Sequence, residues 1–235
     1  MLSIFEWLNF SPFLHLSLFG TKDFADMLYF IALDLILCFG GSAIFIKQLE
    51  IAPEGGQSGQ NSTTKHLIIT ALFSFIIGFL GYYFANVLFG ISLSLFAMLA
   101  LFDMRYLLVP FWLNVLFVIA ALFSLIFFIK NTAFVIFIIL SALSLSGVLA
   151  IVSIIGRSIF GREVLGEGDV LFIFGLGLLH GFVPSFKALF FGAIIGILYF
   201  YIRRIFYARS KELPLITLMF LGFLGDFIFR IWTNV

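Results

Sequence analysis

The chain has 235 residues, with 13 Lys and Arg against 12 Asp and Glu, and charged residues are only 11% of the sequence. A typical soluble domain carries about a quarter. Hydrophobic residues reach 63%, 35 residues are Phe and the mean hydropathy is +1.22. So little charge cannot cover a water-facing surface of this size, and the chain reads as an integral membrane protein. A net charge of +1 and a single cysteine also exclude a disordered chain, a nucleic-acid-binding surface and a disulfide-stapled secreted domain. Cys38 has no partner thiol, and its apolar neighbours make it a packing residue.

In chain order, residues 1–26 are a mixed stretch in which Glu6 interrupts the apolar run and no basic region precedes it. They do not read as a cleavable signal peptide. Trp7 and the Phe residues suit a segment lying in the outer interface, and Ser11-Pro12 is a helix-starting pair. A hydrocarbon core about 30 Å thick needs roughly 20 apolar residues per helix. On that rule eight segments are predicted, at about 27–46, 67–85, 87–102, 111–129, 133–155, 169–182, 187–207 and 213–232. The third and sixth are short. The polar stretch 48–65, with Pro53-Glu54-Gly55-Gly56 at its centre, reads as a flexible cytoplasmic linker. No internal repeat is visible. The expected architecture is all-α, a polytopic membrane helix bundle forming a single domain over 1–235.

Eight spans put both termini on one side, and basic residues choose which. With the termini outside, nine fall at cytoplasmic loops and helix ends: Lys47, Lys65, Arg105, Arg157, Arg162, Arg203, Arg204, Arg209 and Lys211. The outer side keeps four, Lys22, Lys130, Lys187 and Arg230. The Arg203-Arg204 cluster reads as an anchor at lipid headgroups.

Acids near hydrocarbon are costly and point to function. Asp34 lies inside the first span without a local partner, whereas Asp226 stands four residues before Arg230, a helical ion-pair spacing. Asp103 closes the third span and Asp169 opens the sixth, both at the cytoplasmic boundary. Two carboxylates brought together cannot both ionise cheaply, so the pair keeps a proton, as hydrolysis of a peptide by a water molecule requires. The competing reading makes both helix-end residues, with Asp169 favouring a helix N-terminus. Gly166 and Gly168 flank Glu167 just before Asp169 and, lacking Cβ atoms, permit unusual dihedrals and close approach of another chain. His15, His66 and His180 have no ligand spacing, and no cofactor or metal is called for.

These residues resemble the type IV prepilin peptidase family, membrane aspartyl proteases of the Gly-x-Gly-Asp kind. That family places its first catalytic Asp at a span end with Pro seven residues on, as in Asp103 and Pro110, and its second closes Gly-x-Gly-Asp, as in Gly166 to Asp169. Phe39-Gly40-Gly41-Ser42 running to Lys47 is similar to the family's first helix. Two positions depart from its pattern: Leu171 stands where Lys is frequent, and Phe111 follows the Pro, with Asn114 further along. Longer members carry a zinc-binding four-cysteine insertion after the first span. The 48–65 linker holds no Cys, which removes that zinc site and weakens the case for N-methylation activity.

The resemblance implies an aspartic endopeptidase of the cell inner membrane with Asp103 and Asp169 as its catalytic dyad. It would remove short basic leaders from prepilin or pseudopilin precursors bearing a hydrophobic N-terminal helix, as in type IV pilus or type II secretion systems. Gly166 and Gly168 would admit the substrate backbone, and Glu163 and Glu167 could attract the leader. The lipid bilayer is the other partner, and no nucleic acid is expected. Two rivals stand beside this reading: a multispan transporter relaying protons or cations through Asp34, Asp103 and Asp169, and a catalytically inactive assembly scaffold.

Overall fold

The computed structural model describes residues 24–51, 60–84, 87–107, 109–128, 131–161, 165–206 and 214–233. Eight α-helices account for nearly all of them: α1 (Phe24–Ile51), α2 (Gln60–Phe84), α3 (Val87–Tyr106), α4 (Phe111–Phe128), α5 (Thr132–Phe160), α6 (Glu167–His180), α7 (Phe182–Phe206) and α8 (Leu215–Thr233). There is no strand among the described residues. Of the interfacial segment expected over 1–26, residues 1–23 lie outside them and 24–26 open α1.

The helix ends follow local chemistry. Pro110 and Pro214 immediately precede α4 and α8, where a missing N–H costs nothing, and their carbonyls accept amides from Asn114 and Leu218, both at 3.1 Å. Asn131 caps α5, its side chain accepting the Ala133 N–H at 3.0 Å. Gly161 closes α5 in the left-handed region at φ 64°. Leu107 ends α3 in that same region at φ 53°, a conformation that costs a residue with a Cβ about 1–2 kcal/mol.

Several boundaries move from the sequence expectation. Helix α1 continues to Ile51 and α2 begins at Gln60, so both ends of the expected 48–65 linker are helical. Their polar residues extend the apolar segments by further helical turns, a natural continuation where water can satisfy side chains. Helix α3 reaches Tyr106, which sets Asp103 one turn inside the helix instead of at its end. Helix α7 starts at Phe182, with Pro184 in its first turn, and therefore takes in Lys187.

Helices α1, α3, α5 and α7 are long and apolar enough to cross a membrane, and α2, α4 and α8 contain shorter apolar stretches. Except on α3, large apolar side chains point outward along them, among them Ile36, Ile69, Ile119, Ile154 and Ile197. An exposed apolar area of this extent suits lipid. Helix α6 has 14 residues, or about 21 Å of axial rise, well short of a hydrocarbon core.

At the centre lies α3, every residue of which from Phe89 to Ala100 is buried. It packs against α1, α2, α4 and α8, while α6 packs against α4, α5, α7 and α8. Aromatic rings bridge α3 and α6: Phe96 lies 5.0 Å from Phe172, and Phe117 of α4 stacks on Phe172 at 5.3 Å. Phe220 of α8 meets Phe96 edge-on at 4.9 Å. Helices α1 and α2 run antiparallel along a four-residue register. Phe30 stacks on Tyr82, and Asp34 faces Gly78. Further along the two helices, Cys38 and Ser42 of α1 and Thr70 and Ser74 of α2 are buried as well.

Candidate active site

One end of the bundle gathers the C-terminal turn of α3 and the N-terminal turns of α4, α6 and α8. Asp103 sits in α3 and is 6% exposed. Its Oδ2 accepts the backbone N–H of Thr217 at 3.2 Å, and the Ile216 amide lies within reach of the same carboxylate. Asp103 thus receives the unpaired first-turn amides of α8, where a negative charge is favoured. Thr217 also donates its hydroxyl to the Ala100 carbonyl at 2.6 Å, binding the start of α8 to α3 one turn before Asp103.

Asp169 stands in the first turn of α6 and is partly exposed. Its Oδ2 accepts the Gly166 N–H at 3.2 Å, while its own N–H donates to the Gly166 carbonyl at 3.1 Å. The competing sequence reading is therefore correct in part, since Asp169 does cap its own helix. That contact uses one oxygen. The carboxylate also lies close enough to Asp103 for the two charges to interact.

Two side chains from neighbouring helices hold the loop leading into α6. Asn114 of α4, fully buried, donates Nδ2 to the Gly168 carbonyl at 2.6 Å, and its Oδ1 has no hydrogen-bond partner. Ser153 of α5 donates to the Leu165 carbonyl at 3.1 Å. Neither residue, nor Thr217, stands out in the sequence as a site residue.

Neither glycine is demanded by its own geometry. Gly166 has φ −71° and ψ 150°, which any residue adopts, and Gly168 lies within helical α6, so neither supplies an unusual dihedral. A Cβ on Gly166 would come no closer than 3.5 Å to Asp169 Oδ2, and one on Gly168 no closer than 3.8 Å to Asn114 Nδ2. Both would be ordinary van der Waals contacts, so crowding does not require a glycine at either position. Glu167 is exposed in the same turn, and Glu163 lies outside the described residues.

The two remaining acids have other surroundings. Asp34 is completely buried and does have a local partner, contrary to expectation: Cys38 Sγ approaches its Oδ1 at 3.7 Å from one turn away. Asp226 lies 4.0 Å from Lys187 of α7, whereas the side chain of Arg230, its expected partner, lies outside the described residues. His180 is buried at the far end of α6 against Phe89 and Phe223, away from both site acids. Among the described residues no group of His, Cys, Asp and Glu is arranged to hold a metal ion.

Residues 90–201, which contain both Asp103 and Asp169, match the model of the type IV leader peptidase family. The match covers residues 90–201 of 235, just under half of the chain. Comparison with curated proteins and with solved structures gives no match. The family segment runs from early α3 to the last quarter of α7 and includes Asn114, Ser153 and the Gly166–Asp169 loop. Helices α1, α2 and α8 fall outside it. The matched segment includes three of the four helices that are long and apolar enough to cross a membrane, in whole or in large part.

Proposed function

We propose that the protein is a membrane aspartic endopeptidase that removes short basic leaders from prepilin-like precursors, with Asp103 and Asp169 as its catalytic dyad. The observation that carries this reading is the meeting of these two acids at one end of the bundle, inside the family segment. Their chain separation makes the meeting a property of the fold, not of local sequence. In the proposed reaction the dyad holds one proton between its carboxyl groups. The carboxylate takes a proton from water as that water attacks the scissile carbonyl, and the carboxylic acid hydrogen-bonds the carbonyl oxygen. Collapse of the tetrahedral intermediate returns a proton to the leaving amine. Which aspartate plays which part is a property of the coupled pair.

The surroundings support such a site. Helix α6 is too short to span the core, so chain at its ends must lie at membrane depth, where non-helical backbone is tolerated only against protein or water. The backbone entering α6 meets that need through Ser153, on the Leu165 carbonyl, and Asn114, on the Gly168 carbonyl of the first turn, with Asp169 beside it. In this reading an extended substrate backbone passes over Gly166, which is exposed, and Gly168, and Glu167 with Glu163 attracts its basic leader. The basic-residue bias orients this end toward the cytoplasm of the inner membrane, with both termini outside and the whole chain acting as one domain.

Asp103→Asn and Asp169→Asn variants, incubated in detergent or liposomes with a precursor of one hydrophobic helix and a basic leader, should each lose cleavage by about 10²–10⁴-fold. Near-normal cleavage by either variant refutes the dyad.

A further inference from the structure

We propose that Thr217, at the start of α8, is a positioning residue for Asp103, a two-point clamp whose hydroxyl fixes α8 on α3 and whose amide fixes the Asp103 carboxylate. The proposal rests on the dyad reading and adds a residue beyond the family segment, which ends at residue 201. Two hydrogen bonds define the clamp. The hydroxyl donates to the Ala100 carbonyl at 2.6 Å, and the backbone N–H donates to Asp103 Oδ2 at 3.2 Å, both in a buried setting.

These contacts act in series. A Ser or Thr hydroxyl in a helix ordinarily bonds back to a carbonyl of its own helix, as Ser92 does to Leu88 and Ser94 to Gly90. Thr217 does not: the carbonyl its hydroxyl bonds, that of Ala100, belongs to a different helix. Its hydroxyl thus crosses to α3 and sets the height of α8 against Ala100. Ala100 lies three residues before Asp103, on the same helical face. The height so fixed brings the first-turn amides of α8 level with the carboxylate. An aspartate held in one orientation before substrate arrives spares the reaction that ordering step, and the benefit falls on turnover more than on substrate binding.

A purely structural role for the same bonds, with Asp103 serving only as an external cap for α8, predicts a different outcome. The test uses the full-length protein in detergent with a purified precursor of one hydrophobic helix and a basic leader, measuring kcat and KM separately. Thr217→Val removes the hydroxyl and keeps the amide. It should lower kcat about tenfold with KM changed by less than about twofold, and Thr217→Ser should restore kcat to within about twofold. An unchanged kcat in Thr217→Val, a loss that Thr217→Ser does not restore, or a change confined to KM overturns the clamp. Should Thr217→Val not fold, Thr217→Cys decides, since its thiol is a weak donor of similar size: an intermediate kcat supports the clamp and a full kcat overturns it. Asp103→Asn, run alongside, separates the two readings. Cleavage by that variant removes the dyad itself, whereas an inactive Asp103→Asn beside a fully active Thr217→Val removes only the clamp.

Discussion

Asn114 and Thr217 hold the two acids of the site from helices that carry neither. Asn114→Leu keeps the approximate volume but leaves the Gly168 carbonyl without its 2.6 Å donor, a buried loss of about 1–3 kcal/mol. Cleavage by this variant should fall about tenfold and its melting temperature should drop; unchanged values for both would show that the α6 loop does not depend on Asn114. Asp103 and Asp169 were legible in the sequence because charge is so scarce that an acid at a span end is conspicuous. Thr217, Asn114 and Ser153 were not. Membrane helices contain many hydroxyls that bond back to their own helix, as Ser92, Ser141, Ser144 and Ser158 do, and sequence does not mark the ones that cross to a neighbour. Cys38 beside Asp34 was illegible for a related reason, since a thiol one turn from an acid looks like any other packing residue.

Between helices, where lipid removes the hydrophobic drive for association, close backbone packing sets position. Ala188, Gly192 and Gly196 place small residues on one face of α7; Gly222 of α8 fits against the first two and Leu218 against Gly196. A Cβ on Gly222 would stand 2.6 Å from the Ala188 carbonyl oxygen and 2.9 Å from the Gly192 nitrogen, both of them backbone atoms that cannot turn aside. Gly222→Ala should therefore force α8 away from α7 and cost about 1–3 kcal/mol, read as a lower melting temperature in detergent. It should lower cleavage too, because α8 brings Thr217 to Asp103; full stability and full activity together would show that this crossing is not tight. Eight helices were legible from apolar runs, but their ends were not. Polar turns such as Gln60–Lys65 carry no hydrophobic signal, yet they continue a helix already begun, and Tyr106 extends α3 beyond the last purely apolar residues.

Across the whole molecule, the family segment is flanked by helices that support it: α1 and α2 on one side of α3, α8 on another. The α1–α2 seam meets α3 at Asp34, whose Oδ2 faces Gly78 and Ser94. Asp34→Asn retains the shape and can donate to the Ser94 hydroxyl, so it should cleave precursor at close to the native rate. Asp34→Ala leaves a void among three helices and should lower folded yield in membranes. An inactive but well-folded Asp34→Asn would instead draw this acid into the chemistry.

The bond from Thr217 to Asp103 closes a loop of 114 residues. When α3 leaves the ribosome, five further helices remain to be made, and the amides that Asp103 accepts belong to the last of them. The contact that orders Asp103 therefore forms only once α8 has been made, and a chain that has reached Asp169 but not Thr217 lacks it. The order in which the helices are made is in this way also the order in which the surroundings of Asp103 are assembled.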